Sequence, residues 1–268
     1  MSALGMYAAA QDATMPAGWS ETKFPTSSSG ISDELRCANY SENEWRVTVE
    51  TGAVHVSRSS NPEHPTLPPH FTRTDQMRGR SVVAKAGDGW LVGFDAGEFG
   101  GGLWWTSNDG REKKKLTDEN VHAILARQAE LLVFTGLAHM SIDEGRVYSY
   151  RPASQSVGTL VEVADLGSAP NAALVESNDI VLVAAQTRIL ALYPSNQLRV
   201  LYRNRDMGML YTNSIAQDSA GNVVIGMRFF VLRLRPRRDG EYEPEWYFPD
   251  RCRNARVVGY HCDCFAHK

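Results

Sequence analysis

Five short apolar runs, each followed by a second run and then by turn residues, recur along this 268-residue chain at close to even intervals. Anchored on Trp45, Trp90, Leu132, Val181 and Val223, the intervals are 45, 42, 49 and 42 residues. About 40–50 residues is the span of one four-stranded propeller blade. Turn residues punctuate the runs: Asp88-Gly89 precedes the second and Ala220-Gly221-Asn222 the last, at positions where a hairpin needs unusual backbone angles. The anchored runs, such as Ile180-Val181-Leu182-Val183-Ala184, are apolar almost throughout, as expected of strands covered on both faces. No long helical periodicity competes; Asp118–Glu130 is helix-like, but Val121-His122-Ala123-Ile124-Leu125 suits a strand equally well. A two-sheet sandwich also has many short strands but does not repeat so evenly. The expectation is an all-β chain forming a single β-propeller of about five blades, with a sixth left open in the Pro-rich, polar residues 57–80. Trp90, Leu91, Val92, Leu182, Val183, Val224 and Ile225 are expected to lie between blades.

The propeller is expected over 39–252, preceded by a poorly structured leader, 1–38, and followed by a Cys/His-containing tail, 253–268. Composition agrees with a globular chain: 43% hydrophobic, 22% charged, net charge −3. The slight acidic excess argues against nucleic acid as a partner, and no apolar run approaches the roughly 18 residues that would span a membrane. Four cysteines, Cys37, Cys252, Cys262 and Cys264, are too few for a disulfide scaffold. The run His261-Cys262-Asp263-Cys264-Phe265-Ala266-His267 resembles a metal claw, but Cys-x-Cys is tighter than the usual zinc spacing, so it reads as a polar tail. The disulfide most worth testing pairs Cys37 with Cys252. The first ten residues end in small side chains but lack a basic start and a full apolar core. The expected location is the cytoplasm, with periplasmic or secreted location if the start is a truncated signal peptide.

The segment Tyr211-Thr212-Asn213-Ser214-Ile215-Ala216-Gln217-Asp218-Ser219-Ala220-Gly221-Asn222-Val223-Val224-Ile225-Gly226 resembles the bacterial propellers that include gluconolactonase-like and NHL-like proteins. Phe94 through Trp105, with Gly226-Met227-Arg228, is similar to a further group of bacterial propellers of no assigned function. The gluconolactonase resemblance implies one divalent cation, Ca, Mg or Mn, held by oxygen ligands. Asn213 matches that family's motif; Glu98 and Asn171 are companions chosen by place in the repeat. No Asp matches the family's general-base position, and Asp218 sits in a turn where capping the backbone is its expected role.

Other motifs yield less. Gly100-Gly101-Gly102 runs into a strand signal rather than a helix, so it reads as a hairpin loop and not a phosphate cradle. His139 is a candidate for lining the channel, and Arg228 joins Glu98, Asn171, Asn213 and His139 as a binding candidate. Lys113-Lys114-Lys115 reads as a solvated strand edge; Arg233 and Arg235 share a strand face that Glu241, Glu243 and Glu245 can neutralise. Two functions remain: a non-enzymatic binding propeller, of immunity type by analogy, with no cofactor and a protein or small-molecule partner, or a metal-dependent lactonase/esterase-like hydrolase.

Overall fold

The computed structural model describes residues 15, 17–24, 33–41, 44–50, 53–59, 65–154, 156–253, 256–258 and 261–262. Two compact units divide the chain, one continuous over Ser60–Ser214 and one composed of Met1–Ser59 with Ile215–Lys268. The elements begin with β1 (Trp19–Thr22), α1 (Asp33–Tyr40), β2 (Glu44–Glu50) and β3 (Ala53–Ser59). The continuous unit carries three antiparallel sheets of four strands, each in chain order. The first is β4 (Arg80–Ala86), β5 (Gly89–Asp95), β6 (Gly101–Ser107) and β7 (Lys113–Thr117); the second is β8 (Val121–Arg127), β9 (Glu130–His139), β10 (Ile142–Ala153) and β11 (Ser156–Asp165). The third is β12 (Pro170–Val175), β13 (Val181–Ala185), β14 (Arg188–Leu192) and β15 (Leu198–Arg203). Then follow β16 (Ser214–Gln217), β17 (Val223–Gly226), β18 (Val231–Pro236), β19 (Tyr242–Pro249), β20 (Val257–Val258) and β21 (His261–Cys262).

In the continuous unit the three sheets stack face to face. Leu91, Leu103 and Trp105 of the first sheet pack against Val121, Val133 and Tyr150 of the second. From the other face of the second sheet, Leu132, Phe134 and Val147 meet Val181, Val183, Leu190 and Leu192 of the third. This explains the unbroken apolar runs: β9 and its equivalents alternate their side chains between two cores, so neither face can be polar. The first strands lie side by side, β4 beside β8 and β8 beside β12. The outer face of the first sheet is covered by the strandless segment 65–79, whose Leu67, Phe71 and Met77 pack on Val92, Phe94 and Trp104. Among the described residues, 57–80 therefore supplies the end of β3, a cover and the first residue of β4, with no sheet of its own.

In the composite unit the hairpin β2–β3 packs Trp45, Val47 and Val54 on Ala216, Val224 and Val231. Anchors Trp90, Leu132, Val181 and Val223 fall on β5, β9, β13 and β17, the second strand of each four-strand series, whereas Trp45 lies in a two-stranded hairpin. Six of the seven expected core residues are at most 3% exposed; Trp90 is only partly buried, under the Lys85 ammonium 4.7 Å from its ring. Asp218 does cap its turn, accepting from the Ala220 and Asn222 amides at 3.0 and 2.9 Å.

Residues 19–22 and 33–38, expected within the poorly structured leader, are instead ordered elements. β1 adds to the sheet beside β19, Trp19 opposite Pro249 and Thr22 opposite Trp246, because Trp19 has Trp45 to pack against (4.7 Å, edge to face) and Phe24 has Trp246 (4.8 Å). The domain start expected at 39 falls inside α1. Cys37 is bonded to Cys262, not Cys252, with Cα atoms 5.0 Å apart; β21 pairs with β20 and packs on α1, which brings Cys262 to the buried Cys37. Cys252 is also disulfide-bonded. Cys264 and His267 of the proposed metal claw, and the first ten residues, lie outside the described residues.

Candidate functional site

The first strands of the three stacked sheets all carry a polar residue near their start. Arg80 opens β4 and pairs with Asp95 of β5. On β8 the register shifts between Val121 and Ala123, leaving His122 as the extra residue; on β12 it shifts between Pro170 and Ala172, leaving Asn171 as the extra residue. A bulge re-aims a side chain that regular alternation would send into a core. Arg80, His122, Asn171 and Asn213 each stand ten residues before the anchors Trp90, Leu132, Val181 and Val223. One register thus supplies a guanidinium, an imidazole and two carboxamides.

Contacts tie the first two of these strand starts together. The Arg80 guanidinium donates to the His122 carbonyl at 3.3 Å and lies 3.9 Å from the Asp95 carboxylate. His122 Nδ1 is 3.4 Å from the same carboxylate, and Nε2 is 3.0 Å from the Gly136 carbonyl. Asp95 also accepts from the Gly97 amide at 3.0 Å. Burial pushes His122 below the usual histidine value, against the opposing pull of Asp95 and the Gly136 carbonyl, with Arg80 adding to the depression. The sign follows: the folded protein binds fewer protons here than the unfolded chain, so stability falls as pH drops through the ordinary histidine value of 6.5. One such group contributes a slope of at most about 1.4 kcal/mol per pH unit. Chemical unfolding between pH 8 and 5 is expected to show this loss, and His122→Gln to flatten it; an identical slope in the variant would contradict it.

Further along the same end, Asn171 Nδ2 donates to Gln186 Oε1 at 3.1 Å and to Thr212 Oγ1 at 2.8 Å, and Gln186 holds the Gly208 carbonyl at 2.8 Å. Next in the chain, Asn213 accepts from Ser214 at 2.8 Å, while its buried Nδ2 has no hydrogen-bond partner among the described residues. The loop that opens β6 is shaped around its neighbours rather than around an anion: Asn120 donates to the Gly97 carbonyl at 2.9 Å, and a Cβ at Gly102 would stand 2.6 Å from the Trp104 ring.

Glu98 and His139, which sequence reasoning selected separately, meet at 2.7 Å, carboxylate to Nε2, with both side chains more than a third exposed. The pair joins the 3₁₀ turn Gly97–Phe99 to the tip of the β9–β10 hairpin. That hairpin has strands of ten and twelve residues where its equivalents have four to seven. Phe99 is 77%, Met140 94% and Ile142 45% exposed beside the pair. Met140 is held at φ +52°, where a bulky side chain is strained.

The candidates therefore fall into groups. Glu98 meets His139, Asn171 and Asn213 adjoin Thr212, and among the described residues no contact of these four joins the two groups. Arg228 belongs to the composite unit, 3.6 Å from Glu44. Arg233 and Arg235 both grip Glu245, so that basic stretch is neutralised internally. Arg80, Asp95 and His122 were missed, although the ten-residue offset marks Arg80 and His122 as plainly as Asn171.

No family model matches the chain, and no curated protein matches it. Among solved structures it is similar to a streptogramin B lyase, at 15% identity over 65% of this chain and 56% of that one, TM-score 0.43. It is also similar to a gluconolactonase from Xanthomonas campestris, at 11% identity over 74% and 65%, TM-score 0.39. Virginiamycin B lyase from Staphylococcus aureus gives 12% identity over 76% and 69%, TM-score 0.40. The resemblance is to β-propeller proteins. The chain spans less than two thirds of the length of the first two. Among the described residues, no helix is long and apolar enough to cross a membrane.

Proposed function

We propose that the chain is a non-enzymatic binding propeller whose ligand or partner is received at the end of the continuous unit where β4, β8 and β12 begin. The reading counts five blades, the β2–β3 hairpin being the degenerate one. The observation that carries it is the pair of bulges that turn His122 and Asn171 out of the β-alternation, the first of them against Arg80. The exposed Phe99, Met140 and Ile142 support it, since a methionine in a strained, solvent-facing turn contributes nothing to packing but offers an adaptable contact. The metal-dependent hydrolase fits these residues less well. The shared register supplies a guanidinium and an imidazole but no carboxylate, Asp95 is engaged by the Gly97 amide and flanked by Arg80 and His122, and Glu98 is paired with His139. Hard divalent cations need several unencumbered oxygen ligands, and a nearby guanidinium opposes them. Calorimetric titration with calcium and with manganese is expected to give no isotherm; a cation isotherm lost in Asn213→Ala, together with lactone hydrolysis, would overturn the binding reading. The disulfides of Cys37 and Cys252 favour an oxidising compartment over the cytoplasm, which mass measurement after alkylation of the unreduced protein tests.

A further inference from the structure

The cluster at the start of β4 and β8 has a charge count and a hydrogen-bond count that point the same way. Arg80 contributes one positive charge, Asp95 one negative, and the buried imidazole of His122 none, so the cluster is neutral as it stands. Both groups flanking that imidazole are acceptors: the Asp95 carboxylate faces Nδ1 at 3.4 Å and the Gly136 carbonyl faces Nε2 at 3.0 Å. A neutral imidazole has one N–H and can donate to only one of them; the other nitrogen then directs a lone pair at an oxygen. A second proton satisfies both. What opposes it is burial, reinforced by the Arg80 charge.

The other elements packed against β8 add no competing charge. β12 (PNAALV) and β6 (GGLWWTS) contain no ionisable side chain, and the two ionisable residues of β9, Glu130 and His139, are paired with Arg127 and Glu98. Arg80, from β4, and Asp95, from β5, are thus the charged groups His122 senses.

We infer that this cluster takes up a carboxylate together with a proton, the carboxylate lying on Arg80 and the proton passing to His122, so that acidification and ligand binding favour one another. The inference rests on the binding reading above and names the ligand class for that site. Arg80 is only about a third exposed and, among the described residues, makes a 3.3 Å hydrogen bond and a 3.9 Å ion contact, both through one guanidinium nitrogen, leaving donors for a planar carboxylate. An added negative charge would leave the cluster at minus one; protonation of His122 restores neutrality and completes both of its hydrogen bonds, Nδ1–H to Asp95 and Nε2–H to Gly136. Linkage makes the effect reciprocal: a rise of one unit in the His122 midpoint on binding means affinity tenfold higher below both midpoints than above both.

The test follows the His122 ring by NMR from pH 8 to 5 in the full chain, alone and with lactate, with the amide of N-acetyl-aspartate, or with neutral lactamide. The expected result is that the two carboxylates bind and raise the His122 midpoint by about one unit, that lactamide does neither, and that Arg80→Met abolishes the effect. The tighter of the two carboxylates tells whether the natural source is a free acid or an acidic side chain. In His122→Gln, carboxylate affinity is expected to become independent of pH across the range. Carboxylate binding with an unmoved midpoint, or equal binding of lactamide, overturns this inference and leaves the site as a binding site. If none of the three shifts the resonances of Arg80, His122 or Asn171, both readings fall.

Discussion

Val224→Asp should yield no folded composite unit. Val224 is 1% exposed and packs on β17 among Trp45, Val47, Ala216 and Val231, none of which offers a charge or a hydrogen-bond donor from its side chain at that point except the indole of Trp45. An unpaired carboxylate there costs several kcal/mol even after relaxation, to be set against a total stability of roughly 5–15 kcal/mol for a domain. Val224→Ala is the control: it removes apolar volume without adding charge and should cost about 2 kcal/mol. Circular dichroism and thermal melts separate the two; a Val224→Asp protein that melts as the wild type does would show that β17 is not the buried strand of its sheet.

Removing the Cys37–Cys262 bond by Cys37→Ala with Cys262→Ala should lower stability by as much as about 5 kcal/mol. The bond joins residues 225 apart, and in the chain-entropy account the constraint on the unfolded state grows with the logarithm of the enclosed loop. For a chain of this size the melting temperature should fall by about 10 °C or more. Paired substitution avoids leaving a buried thiol with no partner. Hydrogen exchange should quicken first in α1, β20 and β21, which the bond holds together; unchanged melting in the double variant would mean that the bond constrains little.

The local pattern revealed what is local. β5, β9, β13 and β17 were legible because each is apolar on both faces and follows a turn residue, and the Asp218 cap was legible because an aspartate two residues before an accessible amide has few other uses. β1 was not: Trp19–Thr22 becomes a strand only because β19, more than two hundred residues away, presents an edge and Trp45 a ring to pack on. Cysteine pairing is likewise invisible in spacing, and Cys262 displaced Cys252 as the partner of Cys37. Among the candidates, Asn213 came from a resemblance and Asn171 from its place in the repeat, whereas Arg80 and His122 needed the register to be carried back through every sheet. The bulges that re-aim His122 and Asn171 leave no mark in the sequence, since an extra residue in a strand looks like any other.

The division of the chain also sets the order in which a ribosome can deliver its parts. Ser60–Ser214 is one uninterrupted stretch, so all three of its stacked sheets exist as soon as that stretch has emerged, and domains commonly fold as they are synthesised. The composite unit has no such freedom. β2 and β3 leave early, yet Val224 and Val231, against which they pack, arrive some 170 residues later. The partner strand of β1 comes later still, and Cys262 after that. Until then a two-stranded hairpin and the apolar side chains of Trp19 and Trp45 wait without their core, which makes this interval the one in which a growing chain most needs a chaperone.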